Sequence, residues 1–375
     1  MLERTPTRMV NRITLSHIEI PMAEPFRISS GVVDSKESVI IRIERDGLVA
    51  FGEASPMSGG FYSTETPESS FEFLAEKAIP DLIAEGVFRP SFVEEGLRGS
   101  SREPFAWAGL EGALWDLRVL EENTSFPELL EADPHPIESG LAVGIPSCIE
   151  DLIETYERYL RDGYKRLKIK IEPGWDLKPL RAVSEAFAGV PLMVDANSAY
   201  SEEHFPVFER MDELGLLMIE QPLSKNDIEG HSRLQRLLKT PICFDESASS
   251  VESLDRAFRR KACRIVNLKI QRLGGLRQAK KMHDLCRKNG VPTWVGTMPE
   301  LGIGALHALY LALLPNNLFP TDVEAGDRWF VEDIIDPPIR VHSGLIEIPE
   351  VHRKRPCVDM AVVDRYTKKA ATVTF

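Results

Sequence analysis

The chain has 375 residues, a formal net charge of −13 at pH 7 and a hydrophobic content of 43%. Because phosphate backbones are bound by basic surfaces, this acidity argues against a nucleic-acid-binding protein. No apolar run reaches the ~18 residues that a membrane span requires, and the first residues lack the apolar stretch of a secretory signal. We therefore expect a cytoplasmic protein. Its length allows a β/α barrel of about 250 residues plus a smaller module.

The first module has the alternating pattern of antiparallel strands, with Asp46-Gly47 as a hairpin turn. Two turn-rich segments, 24–31 and 56–62, also carry aromatic residues, a composition more typical of binding loops than of linkers. An equally good interpretation is that the aromatic residues Phe26 and Tyr62 only pack between modules.

Helices follow these strands. Small residues on one face of the segment 106–117 would let a helix approach its neighbour closely, and we interpret its Glu111 and Asp116 as cap or interface residues. The sequence Asp-Pro-His-Pro at 133–136 is the expected linker. We therefore predict an α+β domain over residues 1–133.

The rest of the chain alternates short apolar strands with helical stretches, the pattern of a β/α barrel. The first strand is predicted at 140–144, the seventh at 292–295 and the eighth at 317–319. The predicted helices lie near 150–162, 176–188, 201–213, 228–238, 251–259, 276–288 and 301–313. We expect the barrel to occupy residues 134–335. Residues 336–375 are expected to return to the first module through strand pieces at 346–348 and 371–375.

Five charged residues end consecutive strands of this repeat: Lys170, Asp195, Glu220, Asp245 and Lys269. They are separated by 25, 25, 25 and 24 residues, about the length of one β/α unit. Taken singly, each charge has an ordinary interpretation as a surface residue or a helix cap. However, the carboxyl ends of barrel strands share one face, where such barrels carry their chemistry. The common spacing therefore predicts one site.

The three carboxylates Asp195, Glu220 and Asp245 are hard oxygen ligands from successive strands, a set that suits Mg²⁺, with Mn²⁺ as a substitute. Zinc is disfavoured because no histidine or cysteine stands at these strand ends. A divalent ion here could bind a substrate carboxylate and stabilise the charge that develops when the adjacent carbon loses its proton.

Such a proton abstraction needs a base. Lysine is a poor base near neutral pH, but a neighbouring cation disfavours its protonation, and Lys168 lies two residues before Lys170 on the same strand face. With Lys170 and Lys269 on two faces of one carbon, a proton removed from one side can be returned from the other, which is racemisation. If one lysine serves as base and acid while the other stabilises the anion, the site supports elimination of water. The arrangement alone leaves both reactions open.

Two other classes of function use the same residues. A Schiff-base aldolase would use Lys170 or Lys269 as its nucleophile. A non-catalytic barrel that binds a small acid is disfavoured, because a binding protein needs no opposed bases.

These strand ends stand in motifs that resemble those of the enolase superfamily, and within it the muconate-lactonizing-enzyme-like subgroup. The motifs are Lys168-Ile169-Lys170, Asp195-Ala196-Asn197, Glu220-Gln221-Pro222, Asp245-Glu246-Ser247 and Asn267-Leu268-Lys269. The resemblance covers most of the chain. It implies an N-terminal α+β capping domain, a modified TIM barrel and a C-terminal segment that returns to the cap. It also implies acid/base lysines at 170 and 269, Mg²⁺ on the three carboxylates, and a homo-oligomer.

Within the subgroup, the chain is most similar to o-succinylbenzoate synthases and N-succinylamino acid (N-acylamino acid) racemases, through segments 61–66, 296–304 and 327–335. Arg272 is similar to an arginine of the racemase-capable branch, whereas Thr297 and Pro299 depart from the usual pattern. The likeness implies a small carboxylate substrate and either the dehydration that gives o-succinylbenzoate in menaquinone synthesis or N-succinylamino acid racemisation. Dipeptide epimerisation and cycloisomerisation also stay open. The residues expected to contact substrate are Phe26, Ser29, Tyr62, Asn197, Arg272, Thr297 and Met298.

Overall fold

The structure is a computed structural model, and it describes residues 11–99, 102–348 and 356–375. Among these residues, no helix is both long enough and apolar enough to cross a bilayer. Strands β1 to β15 are Arg12–Ile28, Gly31–Arg45, Leu48–Ala54, Ile137–Glu138, Leu141–Val143, Leu167–Lys170, Leu192–Asp195, Ile219–Glu220, Ile242–Phe244, Ile265–Leu268, Thr293–Val295, Ile335–Asp336, Leu345–Ile346, Cys357–Val358 and Thr367–Thr374.

The helices are distributed over both halves of the chain. Helices α1 to α15 are Pro67–Phe73, Ile79–Glu85, Pro90–Gly99, Pro104–Glu122, Phe126–Leu130, Ile149–Leu160, Leu177–Ala186, Phe205–Asp212, Ile228–Leu237, Val251–Arg260, Ile270–Leu273, Leu276–Lys288, Gly302–Ala312, Gly326–Trp329 and Met360–Tyr366. A π-helical turn, Leu74–Ala78, joins α1 to α2, and a 3₁₀ turn, Glu202–His204, precedes α8.

The N-terminal sheet is antiparallel and has the strand order β15-β1-β2-β3. The predicted turn joins β2 to β3, with Asp46 at φ 51° and Gly47 at φ 83°. The predicted loop 24–31 is largely wrong, because β1 continues to Ile28 and only Ser29 and Ser30 form the turn into β2. Phe26 is therefore held by strand pairing with Val33 rather than by a loop.

Helix α4 packs closely against β3, as its small residues predicted. A Cβ atom added at Gly109 would lie 2.5 Å from the backbone nitrogen of Ala54, so a larger residue would push the helix away. Asp116 on the same helix accepts a hydrogen bond of 2.7 Å from the Phe51 backbone N–H. This contact joins two elements of the cap, so the predicted role of Asp116 as a helix-cap or domain-interface residue stays a prediction.

The second sheet has seven parallel strands, β5 to β11, each paired with its neighbours in the chain. The seven predicted helices are present as α6 to α10, α12 and α13. The predicted eighth strand at 317–319 is wrong as a regular strand. Single parallel bridges instead join Thr293 to Asn317 and Ser139 to Thr321, so an irregular segment lies between the last and first strands. The fold is the predicted modified barrel with an N-terminal α+β cap.

The end of the chain contacts both modules. The strand β13 pairs with β4, beside the start of the first barrel strand, so the predicted return of 346–348 to the cap is wrong. The strand β15 pairs with β1 along the register from Arg12–Thr374 to Ile18–Thr367. The domain limits 1–133, 134–335 and 336–375 stay predictions.

Candidate active site

The charged residues of the 25-residue repeat all lie at the carboxyl ends of neighbouring barrel strands. Lys168 and Lys170 lie in β6, Asp195 ends β7 and Glu220 ends β8. Asp245 and Lys269 directly follow β9 and β10. All six are buried, and the three carboxylate residues have no exposed surface at all. Because these strands are neighbours in one parallel sheet, their ends bring the six side chains to one face.

Each of these carboxylates has a basic partner. The Nζ atom of Lys170 donates a hydrogen bond of 2.6 Å to Oδ2 of Asp195 and another of 3.0 Å to Oδ1 of Asn197. On the other side, the Nζ atom of Lys269 lies 2.8 Å from Oδ2 of Asp245. The guanidinium group of Arg272 pairs with the second oxygen of the same carboxylate.

Neighbouring lysine charges lower the pKa values of these carboxyl groups, whereas burial raises them. Burial acts to raise the pKa of Asp195, but the charges of Lys170 and Lys168 outweigh it and the pKa is lowered. The pKa of Glu220 is raised to about 8, first by burial and then by the negative charge of Asp195. The raised pKa favours the neutral form of Glu220 near pH 7, so the negative charge of this group lies on Asp195 and Asp245.

Lys168 has a partner that the strand pattern did not predict, Asp322. Its ammonium pairs with Oδ2 of Asp322, and the other oxygen accepts a bond of 2.6 Å from Arg166. Although burial acts to lower the pKa of Lys168, the charges of Asp322 and Glu220 raise it, so this lysine stays a cation. Asp322 lies 53 residues after Lys269, or about two more β/α units. Two further steps of 25 residues reach Phe319 rather than Asp322, so the spacing alone does not find it.

Two aromatic side chains from the cap cover the two lysines. The Nζ atom of Lys170 lies 5.9 Å from the centroid of the Phe26 ring, and that of Lys269 lies 5.6 Å from the Tyr62 ring. Phe26 is held in turn by an edge contact with Trp329, at 5.0 Å between centroids. The cap thus encloses the mouth of the barrel.

A cavity of about 30 Å³ lies between the cap and the strand ends. Five of the seven residues predicted to contact substrate line it: Phe26, Tyr62, Asn197, Thr297 and Met298. Both Lys170 and Lys269 also line it. Arg272 instead lines a wider adjoining cleft of about 1110 Å³ that includes Tyr62 and Asn197. Ser29 lies in the β1–β2 turn and lines neither space.

The donor chemistry of Asp195, Glu220 and Asp245 fits a magnesium ion, because all three are buried oxygen ligands on adjacent strands. In the described part of the chain, no three acidic, histidine or cysteine side chains converge closely enough to be grouped as metal ligands. The ammonium groups of the three lysines lie among the carboxylates, within 4.0 Å of their oxygens. The residue types suit a divalent ion and a proton transfer, while the roles of these six residues stay predictions.

Both halves of the chain match family models. Residues 151–352 match the enolase C-terminal domain-like family, and residues 11–131 match the N-terminal domain of the mandelate racemase and muconate lactonizing enzyme family. Together they include the cap and all six charged residues of the site.

Curated relatives match over nearly the whole chain. An o-succinylbenzoate synthase from Geobacillus kaustophilus is 39% identical, with 96% of each chain covered. An N-succinylamino acid racemase from Thermus thermophilus is 37% identical over 91% of this chain and 94% of its own. A crystal structure of an enolase superfamily member from Listeria innocua superposes with a TM-score of 0.91 at 33% identity, over 97% of this chain and 98% of that one. The chain therefore belongs to the enolase superfamily.

Proposed function

We propose that this protein catalyses the dehydration of 2-succinyl-6-hydroxy-2,4-cyclohexadiene-1-carboxylate to o-succinylbenzoate, the synthase reaction of menaquinone synthesis. The observation that supports the proton abstraction in this reaction is that Lys170 and Lys269 line one cavity from strand ends four positions apart in the sheet. The names of the most similar curated relatives support the same reaction.

We assign the proton transfers to Lys170. In its neutral form, its Nζ atom accepts the proton from the carbon next to the substrate carboxylate, and the ammonium so formed then gives that proton to the departing hydroxyl group. The hydroxyl leaves as water with the electrons of its C–O bond. The contacts of Nζ with Asp195 and Asn197 fix where the base points.

We assign Lys269 to the stabilisation of the anion. Burial acts to lower the pKa of Lys269, but the charge of Asp245 raises it well above its ordinary value. This lysine therefore stays positively charged beside the carbon that gains negative charge. Lys168, held as a cation by Asp322, stands two residues from the base in the same strand.

Asp195, Glu220 and Asp245 would hold Mg²⁺, with Mn²⁺ as a substitute. Bound there, the ion would supply positive charge to the substrate carboxylate and to the anion formed from it.

The proposal also includes a cytoplasmic location and a homo-oligomeric assembly. Light scattering after size-exclusion chromatography tests the assembly.

A second candidate reaction is the racemisation of N-succinylamino acids, alone or beside the synthase reaction. Two observations favour it: both lysines line the cavity from strands four positions apart, and Arg272 shares the carboxylate of Asp245 with Lys269. A lysine on each side of the α carbon is what proton return to the opposite face requires.

The experiment is to follow the loss of substrate absorbance on dehydration with purified protein in Mg²⁺, after EDTA, and after Mg²⁺ is restored. The proposal expects turnover that EDTA removes and Mg²⁺ restores. If there is no dehydration but N-succinylamino acids exchange their α proton in deuterated water, the second candidate replaces the first. Activity that survives EDTA, together with substrate trapped by borohydride, would favour the Schiff-base alternative.

A further inference from the structure

Lys36 is a buried lysine outside the group of strand-end residues. It lies in β2 of the cap, and only 4% of its surface is exposed. Its Nζ atom is buried and has no hydrogen-bond partner within the described residues. Burial lowers the pKa of Lys36 and so favours its neutral form, and an anionic ligand beside Nζ would restore the positive charge and complete the bonding of this group.

The Lys36 side chain lines a small chamber that adjoins the catalytic cavity. The two spaces have four wall residues in common: Phe26, Met57, Met298 and Pro299. The chamber also contains Ser58, whose buried hydroxyl oxygen likewise has no partner in the part of the chain that the structure describes. Two donors without acceptors therefore face one apolar chamber at the side of the active site.

Nearby acids do not take the role of that acceptor. Glu53 acts on Lys36 through its charge, but its oxygens accept bonds from the backbone N–H groups of Leu301 and Gly304 and from the Ser38 hydroxyl. Burial raises the pKa of Glu53 to about 7, and burial also raises the pKa of Glu300. The third acid whose charge acts on Lys36 is Glu37, and its Oε2 atom is hydrogen-bonded to His17 and Lys368. Glu53 is therefore partly neutral near pH 7, and the raised pKa of Glu300 also favours its neutral form, so the chamber can accept an anion.

We propose that Lys36, together with Ser58, binds the second carboxylate of a dicarboxylate substrate, the one at the end of the succinyl chain. This inference rests on the proposed function, because the first carboxylate is assigned to the strand-end site. The succinyl chain would run between Phe26, Met57 and Met298 to reach the ammonium and hydroxyl groups. Lys36 thereby selects for substrates that end in a carboxylate.

The walls of the chamber must adjust to admit the group. Its free space is about 10 Å³, which is room for roughly one water molecule. Two of the side chains between the chamber and the catalytic cavity are methionines, Met57 and Met298, whose unbranched chains repack more readily than branched ones. Entry of the carboxylate would displace one water and move these two side chains.

The test compares the affinities of o-succinylbenzoate and 2-butanoylbenzoate, in which a methyl group replaces the terminal carboxylate. Calorimetry in Mg²⁺ gives both dissociation constants for the wild type, Lys36→Met and Ser58→Ala. We expect the wild type to prefer o-succinylbenzoate by about 10- to 100-fold, the range of a hydrogen-bonded charge pair. Lys36→Met should lose most of this preference while binding 2-butanoylbenzoate as the wild type does, and Ser58→Ala should lose a smaller part.

A matched control is Lys77→Met, which removes an exposed cap lysine and should keep the full preference. The proposal is overturned if Lys36→Met keeps the wild-type preference, if it weakens both ligands equally, or if the wild type shows no preference. Turnover is measured separately. A wild type that discriminates between the two benzoates without dehydrating the substrate would contradict the proposed function and leave the Lys36 assignment standing.

Discussion

The ammonium group of Lys168 and the carboxylate of Asp322 form a buried ion pair on the inner side of the barrel, with 3% and 6% of their side chains exposed. Arg166 contacts the same carboxylate, and both cations lie 5.1 Å from the Trp294 ring. Asp322 therefore connects Lys168, which lies beside the proposed base, to Arg166 in the interior of the barrel.

Replacing Asp322 with asparagine should strongly destabilise the protein, because it removes the negative charge that pairs with two buried cations, Lys168 and Arg166. Removing one partner of a buried pair costs about 3–5 kcal/mol. The free energy of unfolding from urea titrations measures the loss. The exposed pair Lys77–Asp81 provides the control, and Asp81→Asn should change stability by less than about 1 kcal/mol. Equal effects of the two substitutions would contradict the account.

Gln271 connects the cap to the helical turn that follows Lys269. Its Nε2 atom donates a hydrogen bond of 2.8 Å to the Glu53 carbonyl oxygen. Its Oε1 atom accepts a hydrogen bond of 3.0 Å from the Ser55 backbone N–H. Gln271→Ala would leave both buried backbone groups unpaired, at about 1–3 kcal/mol each. We expect a lower free energy of unfolding and slower turnover, measured by urea titration and by the dehydration assay. If the free energy of unfolding and the turnover rate are both unchanged, the Gln271 contact does not stabilise the position of the cap on the barrel.

Glu111 makes the stability of the cap–barrel interface depend on pH. It is fully buried and accepts a hydrogen bond of 3.2 Å from the Arg277 backbone N–H at the start of α12. Burial raises the pKa of Glu111 from 4.5 to about 8. Because the unfolded chain releases this proton at lower pH, the contribution of Glu111 to stability falls as the pH rises from 4.5 to about 8.

The glutamine variant isolates this effect from other titrating groups. Glu111→Gln keeps an acceptor oxygen but carries no ionisable proton, so relative to the wild type it should gain stability between pH 5 and pH 8. The maximum slope is about 1.4 kcal/mol per pH unit. Urea titrations of both proteins at several pH values measure the difference. A difference that stays constant with pH would show that Glu111 does not titrate in this range.

The sequence predicted the parts of the site that follow regular strands. Lys170, Asp195 and Glu220 lie within strands whose apolar residues are visible in the sequence, and the spacing between units carried the prediction on to Asp245 and Lys269. Asp322 was missed because it follows an irregular segment that only single bridges attach to the barrel. No apolar strand marks its position.

The contacts between the two modules were harder to predict, since they join residues far apart in the chain. Lys36 and Glu53 lie in ordinary cap strands, and their burial depends on the position of the barrel against the cap. In the sequence, Gln271 resembles an ordinary turn residue, and only the structure shows its hydrogen bond with the backbone of the cap. The predicted aromatic loop failed for a local reason: Phe26 satisfies the pairing pattern of β1 and lies in that strand.

The most direct test of the account is the turnover number for 2-succinyl-6-hydroxy-2,4-cyclohexadiene-1-carboxylate at saturating Mg²⁺, for the wild type, Lys170→Ala and Lys178→Ala. Lys178 lies on the surface of α7, after the same strand, and its variant should be as active as the wild type. Lys170→Ala should keep the fold and lose at least about 10³-fold in turnover, since it removes both the base and the acid. A folded Lys170→Ala variant within tenfold of the wild type would contradict the assignment of this lysine.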